Sequence, residues 1–302
     1  MYINHNQMAS NVANTLTSHY GNLQTSTQRL SSGLRVNSAA DDAAGLAIRE
    51  LMRSDIAALN QGVRNANDAI SLLQTADGAL GVIDEKLVRM KELAEQAATG
   101  TYDSTQRLMI ESEYQAMASE ITRIANSTDF NNIKLLDGNL SSDTHVGKGG
   151  DESGLASTGK LKVHFGSAND SAEDYYYIQI GTSTASALGV GNQATAFDEK
   201  SDARTVSTQE AAQKALVGIN NAIVSKDKIR AHLGALQNRL ENTITNLTTQ
   251  AENLQAAESR ISDVDVATEM TQFVRNQILT QSAVAMLSQA NSMPQMAMQL
   301  IG

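Results

Sequence analysis

Cysteine and tryptophan are absent from this chain of 302 residues, and proline occurs once. Without cysteine the chain cannot form a disulfide, a thiolate metal site or a cysteine nucleophile. Aromatic residues make up only 4% of the chain, so its apolar side chains are mostly aliphatic, which suits helix seams better than the core of a β-sandwich. Because Pro294 is the one proline, very long helices are possible.

Charge is absent from both ends of the chain. No Asp, Glu, Lys or Arg occurs in residues 1–28 or 276–302, although the net charge of the whole chain is −10. This acidic balance argues against a nucleic-acid partner. No window of the sequence reaches the roughly 18 apolar residues that a membrane span needs. The first residues also lack the basic and apolar regions of a cleavable signal peptide, so neither a membrane anchor nor such a signal is expected.

Both uncharged ends show helical spacing of their apolar residues, unlike the usual charged or proline-rich disordered tail. The residues expected to form their packing surface are Val12, Leu16, Tyr20, Leu23 and Leu30 near one end and Phe273, Ile278, Leu287, Met296 and Leu300 near the other. A lone helix with so thin an apolar seam is marginal in water. We therefore predict that both ends fold fully against neighbouring copies of the chain, where the lack of charge avoids buried unpaired ions.

Longer apolar seams occupy the rest of the chain. The first runs from Met52 to Ala97 in alternating steps of three and four, interrupted only by Asp77. A second follows at 110–124 and a third at 208–260. Three such seams predict a coiled-coil-like helical bundle, and stripes of this kind indicate core packing rather than a cofactor site.

The amino-acid composition changes between residues 138 and 191, where glycine is frequent. Two short stretches there, 160–165 and 175–180, are typical of β-strands. We therefore expect a mainly α fold, a long antiparallel coiled-coil-like bundle with a small β-rich insert between its helices.

Residue patterns for catalysis are missing. The five histidines form no HExxH pair, and the sequence contains no GxxxxGK[ST] phosphate loop and no GxSxG elbow. Acidic pairs occur at Asp41–Asp42 and at Asp263 and Asp265, but both lie where a helix is expected to begin, which favours capping over acid–base chemistry. We expect no enzyme activity, no metal site and no cofactor.

Several motifs resemble the signatures of bacterial flagellins. They are RLSSGLRVNSAADDAAG at 29–45, RNAND at 64–68, QTADGAL at 74–80, LGALQNRL at 233–240, ESRISDVD at 258–265, ATEM at 267–270 and SQAN at 288–291. The resemblance covers roughly residues 1–140 and 185–302, with the motifs in the order that the family has them.

The resemblance implies a structural subunit of the flagellar filament, located outside the cell and assembled for swimming motility. It implies that the two termini pair, and that residues 1–43 and 257–302 form an inner coiled-coil domain. It further implies an outer core bundle at 44–140 and 185–256, with a short variable insert at 141–184. Export unfolded through the flagellar type III apparatus would use no cleaved signal.

The same resemblance implies partners. The chain would polymerise with copies of itself, its C-terminal helices would be guarded by a flagellar secretion chaperone, and filament cap and hook-junction proteins would meet it during assembly. Flagellins recognised by the vertebrate Toll-like flagellin receptor share an Arg, a Leu and a Glu on the outer core helices. Motif by motif, these correspond to Arg89, Leu93 and Glu113.

Three other functions remain open at this stage. A hook–filament junction protein shares the terminal signatures, although the full match at 29–45 and 258–270 favours a filament subunit. A flagellin carrying a metalloprotease insert would need an HExxH motif, which the chain lacks. A pure binding module, such as an adhesin or immune ligand, could coexist with the filament role.

Overall fold

The computed structural model describes residues 6–141, 159–166, 168, 170, 174–192 and 203–301, without the side chains of 295 and 297–301. Within these residues the chain forms helices joined by short strands and turns. In order they are α1 (Gln7–Ser32), α2 (Ala43–Ala98), α3 (Ser104–Ser127), β1 (Asp129–Phe130), β2 (Ile133–Lys134), β3 (Leu161–His164), β4 (Tyr175–Ile178), α4 (Ala185–Leu188), α5 (Gln209–Ser262) and α6 (Val266–Ile301). The predicted mainly α fold with a small β-rich insert is confirmed.

The chain divides into two compact units. The terminal unit combines residues 1–57 with 251–302, and the central unit is residues 58–250. The divisions fall inside α2 and α5, so each of these helices contributes to both units. The predicted boundaries at 43/44 and 256/257 lie nearer to the helix ends, and the assignment of inner and outer filament domains stays a prediction.

A core of large aliphatic side chains holds the central unit together. From α2, the side chains of Leu80, Leu87 and Met90 are fully buried, as the first heptad seam predicts. Tyr114 of α3 is fully buried as well, and its hydroxyl donates a hydrogen bond of 2.6 Å to the carbonyl oxygen of Ala203. An aromatic residue can be buried here because its polar tip has a partner.

Two ion pairs join α2 and α5 and show the relative direction of these helices. The Lys226 ammonium of α5 is 2.6 Å from the Asp84 carboxylate of α2, and Arg230 Nε is 2.7 Å from Asp77 Oδ1. Since the higher number on α5 pairs with the lower number on α2, the two helices are antiparallel. Both basic residues lie where the third seam lacks apolar residues, just as Asp77 interrupts the first.

The β-rich insert packs against α2. Strands β3 and β4 pair antiparallel, with Leu161 opposite Ile178, close to the predicted positions. Gly62 of α2 lies directly against the backbone of Phe165, which follows β3, so a side chain at this glycine would collide with that backbone. Part of the predicted insert, residues 142–158, lies outside the described residues.

Candidate assembly surface

The two chain ends pair as antiparallel helices, which we name the terminal helix pair (α1 and α6). At one end of the pair, Arg29 and Glu269 approach to 3.8 Å, and the Val264 amide donates to the Gly33 carbonyl at 3.0 Å. Gly33 ends α1 with φ of 73°, a conformation that glycine adopts at little cost. Near the other end, the Asn6 side chain donates to the Ala290 carbonyl at 2.7 Å. These contacts keep one register along the pair.

Small side chains occupy the most buried positions of the seam between the two helices. Ser26, Thr280, Ala283 and Ala290 are each less than a tenth exposed. Small residues let two helix backbones approach closely, but they remove little apolar surface from water. The terminal helix pair therefore gains only modest stability from its own internal contacts.

Large apolar side chains lie instead on the outside of the pair. Of the residues predicted to form its packing surface, Tyr20 is 53% exposed, Ile278 56% and Met296 47%. Val12, Leu16, Leu23, Leu30, Phe273 and Leu287 are partly buried, and the side chain of Leu300 lies outside the described residues. The structure thus leaves much of the predicted surface open.

Further apolar residues of the two helices are exposed, and the sequence reasoning did not assign most of them to the packing surface. They are Met8 on α1 and Val266, Met270, Val274, Leu279, Val284 and Met286 on α6. The signal was the high apolar content of α6 around its whole circumference, which is typical of a helix that is buried on several sides. A shallow groove of about 840 Å³ continues this surface along α1 from Tyr20 to Ser32.

Aspartates fix the starts of two helices at this unit. The Asp42 carboxylate accepts from the Gly45 amide at 2.8 Å at the start of α2, and Asp265 accepts from the Ala267 amide at 3.0 Å at the start of α6. The hydroxyl and then the amide of Thr268, followed by the Ala267 amide, hold the pKa of Asp265 below its usual value. Asp41 and Asp263 differ from the capping prediction, since Asp41 binds the Asn37 and Ser38 amides and Asp263 accepts from Ser259 and Ser262.

In the central unit, two of the three residues matched to the receptor motif meet. Arg89 of α2 and Glu113 of α3 form an ion pair of 2.7 Å, with side chains 48% and 43% exposed. The hydrogen bonds that Arg89 donates to Glu113, followed by the one it donates to Glu92, raise the pKa of Arg89. Leu93, one turn further along α2, is only 1% exposed and packs in the core.

The described residues contain no group of three or more metal-binding side chains. No helix among them is long and apolar enough to cross a membrane. What they do present is a pair of terminal helices that is uncharged over residues 7–28 and 276–301 and exposes several large apolar residues. This fold is that of a mainly helical protein whose paired terminal helices leave apolar side chains exposed.

The comparison with known proteins gives the family. The bacterial flagellin N-terminal helical region matches residues 3–141, and the bacterial flagellin C-terminal helical region matches residues 216–301. The chain is 42% identical to a flagellin of Bacillus subtilis (strain 168) and 41% identical to the flagellar filament 33 kDa core protein of Treponema phagedenis, each match covering 100% of both chains. This chain belongs to the bacterial flagellin family.

A solved structure supports the fold. It is a putative flagellar hook-associated protein from Vibrio parahaemolyticus, which matches 74% of this chain and 100% of its own with a TM-score of 0.54 and 14% identity. At 14% identity this match supports the fold alone. The family membership confirms the structural, extracellular filament subunit expected from the motifs, with no enzymatic role, and leaves the hook-junction alternative less supported.

Proposed function

We propose that the terminal helix pair is the polymerisation surface of this filament subunit. The observation that carries the proposal is the packing of the pair: its most buried side chains are small, such as Ala283, and large ones such as Ile278 are more than half exposed. Full burial of one large apolar side chain contributes about 1.5–3 kcal/mol. Neighbouring copies can supply that burial, and the free energy is then gained on assembly rather than in the single chain.

The missing charge supports the same proposal. Residues 1–28 and 276–302 carry no ionised side chain, so many copies can crowd together without like-charge repulsion or desolvated unpaired ions. In this proposal residues 1–43 and 257–302 form the inner domain of the filament. Residues 44–140 and 185–256 form the outer core, and the insert at 141–184 lies at the surface.

Removal of either end tests this proposal. Deletion of residues 1–28, or of 276–302, is expected to leave the central unit folded, because its core residues such as Leu80 and Tyr114 lie outside the deleted segments. Circular dichroism should show a cooperative unfolding transition, while sedimentation after seeding should show no filaments. Filaments formed by either truncated chain would contradict the proposal.

Before assembly the same apolar surface must be shielded from contact with other chains. Exposed apolar residues of α6, among them Met286 at 60%, would otherwise favour premature association. This supports a secretion chaperone that binds the C-terminal helix before export, as the family resemblance implies. Filament cap and hook-junction proteins would meet the chain at later steps.

Receptor recognition is a second candidate function, and the Arg89–Glu113 ion pair favours it. These two side chains present adjacent opposite charges and several hydrogen-bonding groups on the outer face of α2 and α3. The buried Leu93 would contribute by holding the α2 backbone in place rather than by direct contact. Arg89→Ala is expected to lower activation of the vertebrate Toll-like flagellin receptor by the monomer.

Arg123→Ala is a matched control for this experiment, because Arg123 also forms an exposed ion pair, with Glu120 of α3 at 2.6 Å. It should leave receptor activation unchanged. Unchanged activation by Arg89→Ala, or an equal loss in both variants, would show that the matched residues are not the contact.

A further inference from the structure

Pro294 creates a specific problem inside α6. It lies within the helix and has no amide hydrogen, so it cannot donate to the carbonyl of Ala290, four residues earlier. The proline ring also crowds that carbonyl and turns it away from the helix axis. Ala290 is only 6% exposed, and a buried carbonyl without a donor is costly. The helix therefore needs a donor from elsewhere in the chain.

Asn6 supplies that donor from the opposite end of the sequence. Its Nδ2 lies 2.7 Å from the Ala290 oxygen, while its Oδ1 accepts from the Ala9 amide at 3.0 Å and caps α1. The same side-chain amide therefore caps the start of α1 and donates to the carbonyl that α6 leaves without a donor. Asparagine has both groups, whereas aspartate lacks the donor and serine is too short to reach.

We propose that Asn6 is the positioning residue that fixes the register of the terminal helix pair at the end opposite the Arg29–Glu269 contact, through the carbonyl freed by Pro294. This inference rests on the proposed role of the pair in polymerisation. At this end of the pair the most buried side chains of the seam are small, such as Ala283 and Ala290, and apolar contacts of this kind do not by themselves exclude a shift of one helical turn. A single directional polar contact can select one register, as a lone asparagine does in coiled coils.

The register decides what the pair presents to a neighbour. A shift of α6 against α1 by one turn would displace the exposed Ile278 and Met286 relative to Tyr20 by about 5.4 Å. A neighbouring subunit that fits one arrangement would not fit the other. Asn6 thus prepares the surface on which the next subunit docks.

A double-mutant cycle in the full-length chain tests this assignment. Asn6→Ser retains an N-cap residue but loses the contact with Ala290, and we expect the critical concentration for polymerisation to rise about tenfold. Pro294→Ala restores an amide donor to Ala290 within α6. In that background Asn6→Ser should change the critical concentration less than twofold. An equal rise in both backgrounds would mean that Asn6 acts only as a helix cap, and would overturn the proposal.

A second series keeps the test valid if Pro294→Ala impairs assembly for its own reasons. Asn6→Asp has the shape of asparagine and caps a helix at least as well, but it turns a carboxylate oxygen toward the Ala290 carbonyl. We expect polymerisation to weaken from Asn6 to Ser and further to Asp. Gln7→Glu adds the same charge one residue away and should weaken it less than Asn6→Asp does. If Asn6 acted only as a helix cap, Asn6→Asp would instead polymerise as well as the unmodified chain or better.

The deletion of residues 276–302 separates this inference from the proposed function. If that truncated chain polymerises, the assembly role of the terminal helices itself is wrong. If it does not polymerise but Asn6→Ser behaves as the unmodified chain does, only the register role of Asn6 is wrong. Asn14→Ser, which removes an exposed amide from the middle of α1, should have no effect in either case.

Discussion

The two units of this chain place their apolar residues in opposite ways. In the central unit the fully buried side chains are large, such as Leu80, Leu87 and Met90. In the terminal unit, among the described residues, the buried ones are mostly small, while large side chains such as Ile278 are more than half exposed. The first pattern is that of a core complete within one molecule. The second pattern is typical of a surface that binds another molecule.

The difference shows where the stability of each unit comes from. Leucine and methionine buried in the central unit each contribute about 1.5–3 kcal/mol within the single chain. Alanine and serine in the seam of the terminal helix pair contribute far less. In the proposed assembly, the central unit would be stable within the single chain, and the terminal unit would gain further stability in the polymer.

The largest effect should follow from a charge on the exposed terminal surface. Ile278→Glu is expected to abolish filament formation, since assembly would bury an unpaired carboxylate. The unfolding transition of the single chain should change little, because Ile278 is 56% exposed there. Electron microscopy and thermal denaturation measure the two properties. Ile278→Met is the control and should polymerise; filaments of Ile278→Glu would contradict the comparison between the units.

A cavity in the central core should act in the opposite way. Leu80 is fully buried, so Leu80→Ala is expected to lower the free energy of unfolding by about 3 kcal/mol. Val284→Ala in α6, where the side chain is 48% exposed, should lower it by less than about 0.5 kcal/mol. Chemical denaturation of the unassembled chain gives both values. Equal losses of unfolding free energy in the two variants would contradict the difference in burial between the two units.

The buried ammonium of Lys226 provides a further test of the central unit. Its side chain is 2% exposed and lies between Asp84 and Asp227. Asp84→Ala leaves the ammonium with one partner, and we expect a loss of about 2 kcal/mol in the free energy of unfolding. Lys226→Met in the same background should restore most of that loss, because no charge then remains buried. A lack of restoration would show that the cost of Asp84→Ala is unrelated to Lys226.

The sequence predicted the seams of the central unit well, because a heptad pattern is a local property that any long helix of a bundle displays. Contacts between distant residues were not predictable. The pairs Lys226–Asp84 and Arg230–Asp77 require knowledge of which helices face each other and in which register. The bond from Asn6 to Ala290 joins positions 284 residues apart.

The chain ends show another limit of the sequence. Apolar spacing at Tyr20 and Ile278 identified a packing surface, but a periodic pattern does not tell whether that surface packs within the chain or against another copy. The missing charge in 1–28 and 276–302 favoured the second interpretation. The structure adds that Tyr20 and Ile278 remain more than half exposed in the single chain, while the most buried residues of the pair are small.

The smallest expected effect is a loss of local stability at the start of α6 at acidic pH. The Thr268 and Ala267 groups that bind Asp265 lower the pKa of its carboxyl in the folded chain. Their contribution to stability is therefore present above the ordinary aspartate pKa of about 3.9 and is lost as the pH falls through the lower folded value. Hydrogen exchange at the Thr268 amide should quicken below that range, relative to amides in the middle of α6. Asp265→Asn, which caps without titrating, should abolish this pH dependence. If the pH dependence persists in that variant, another group in the terminal unit must carry it, and Asp41, whose pKa is lowered mainly by the Ser38 amide, is the next to test.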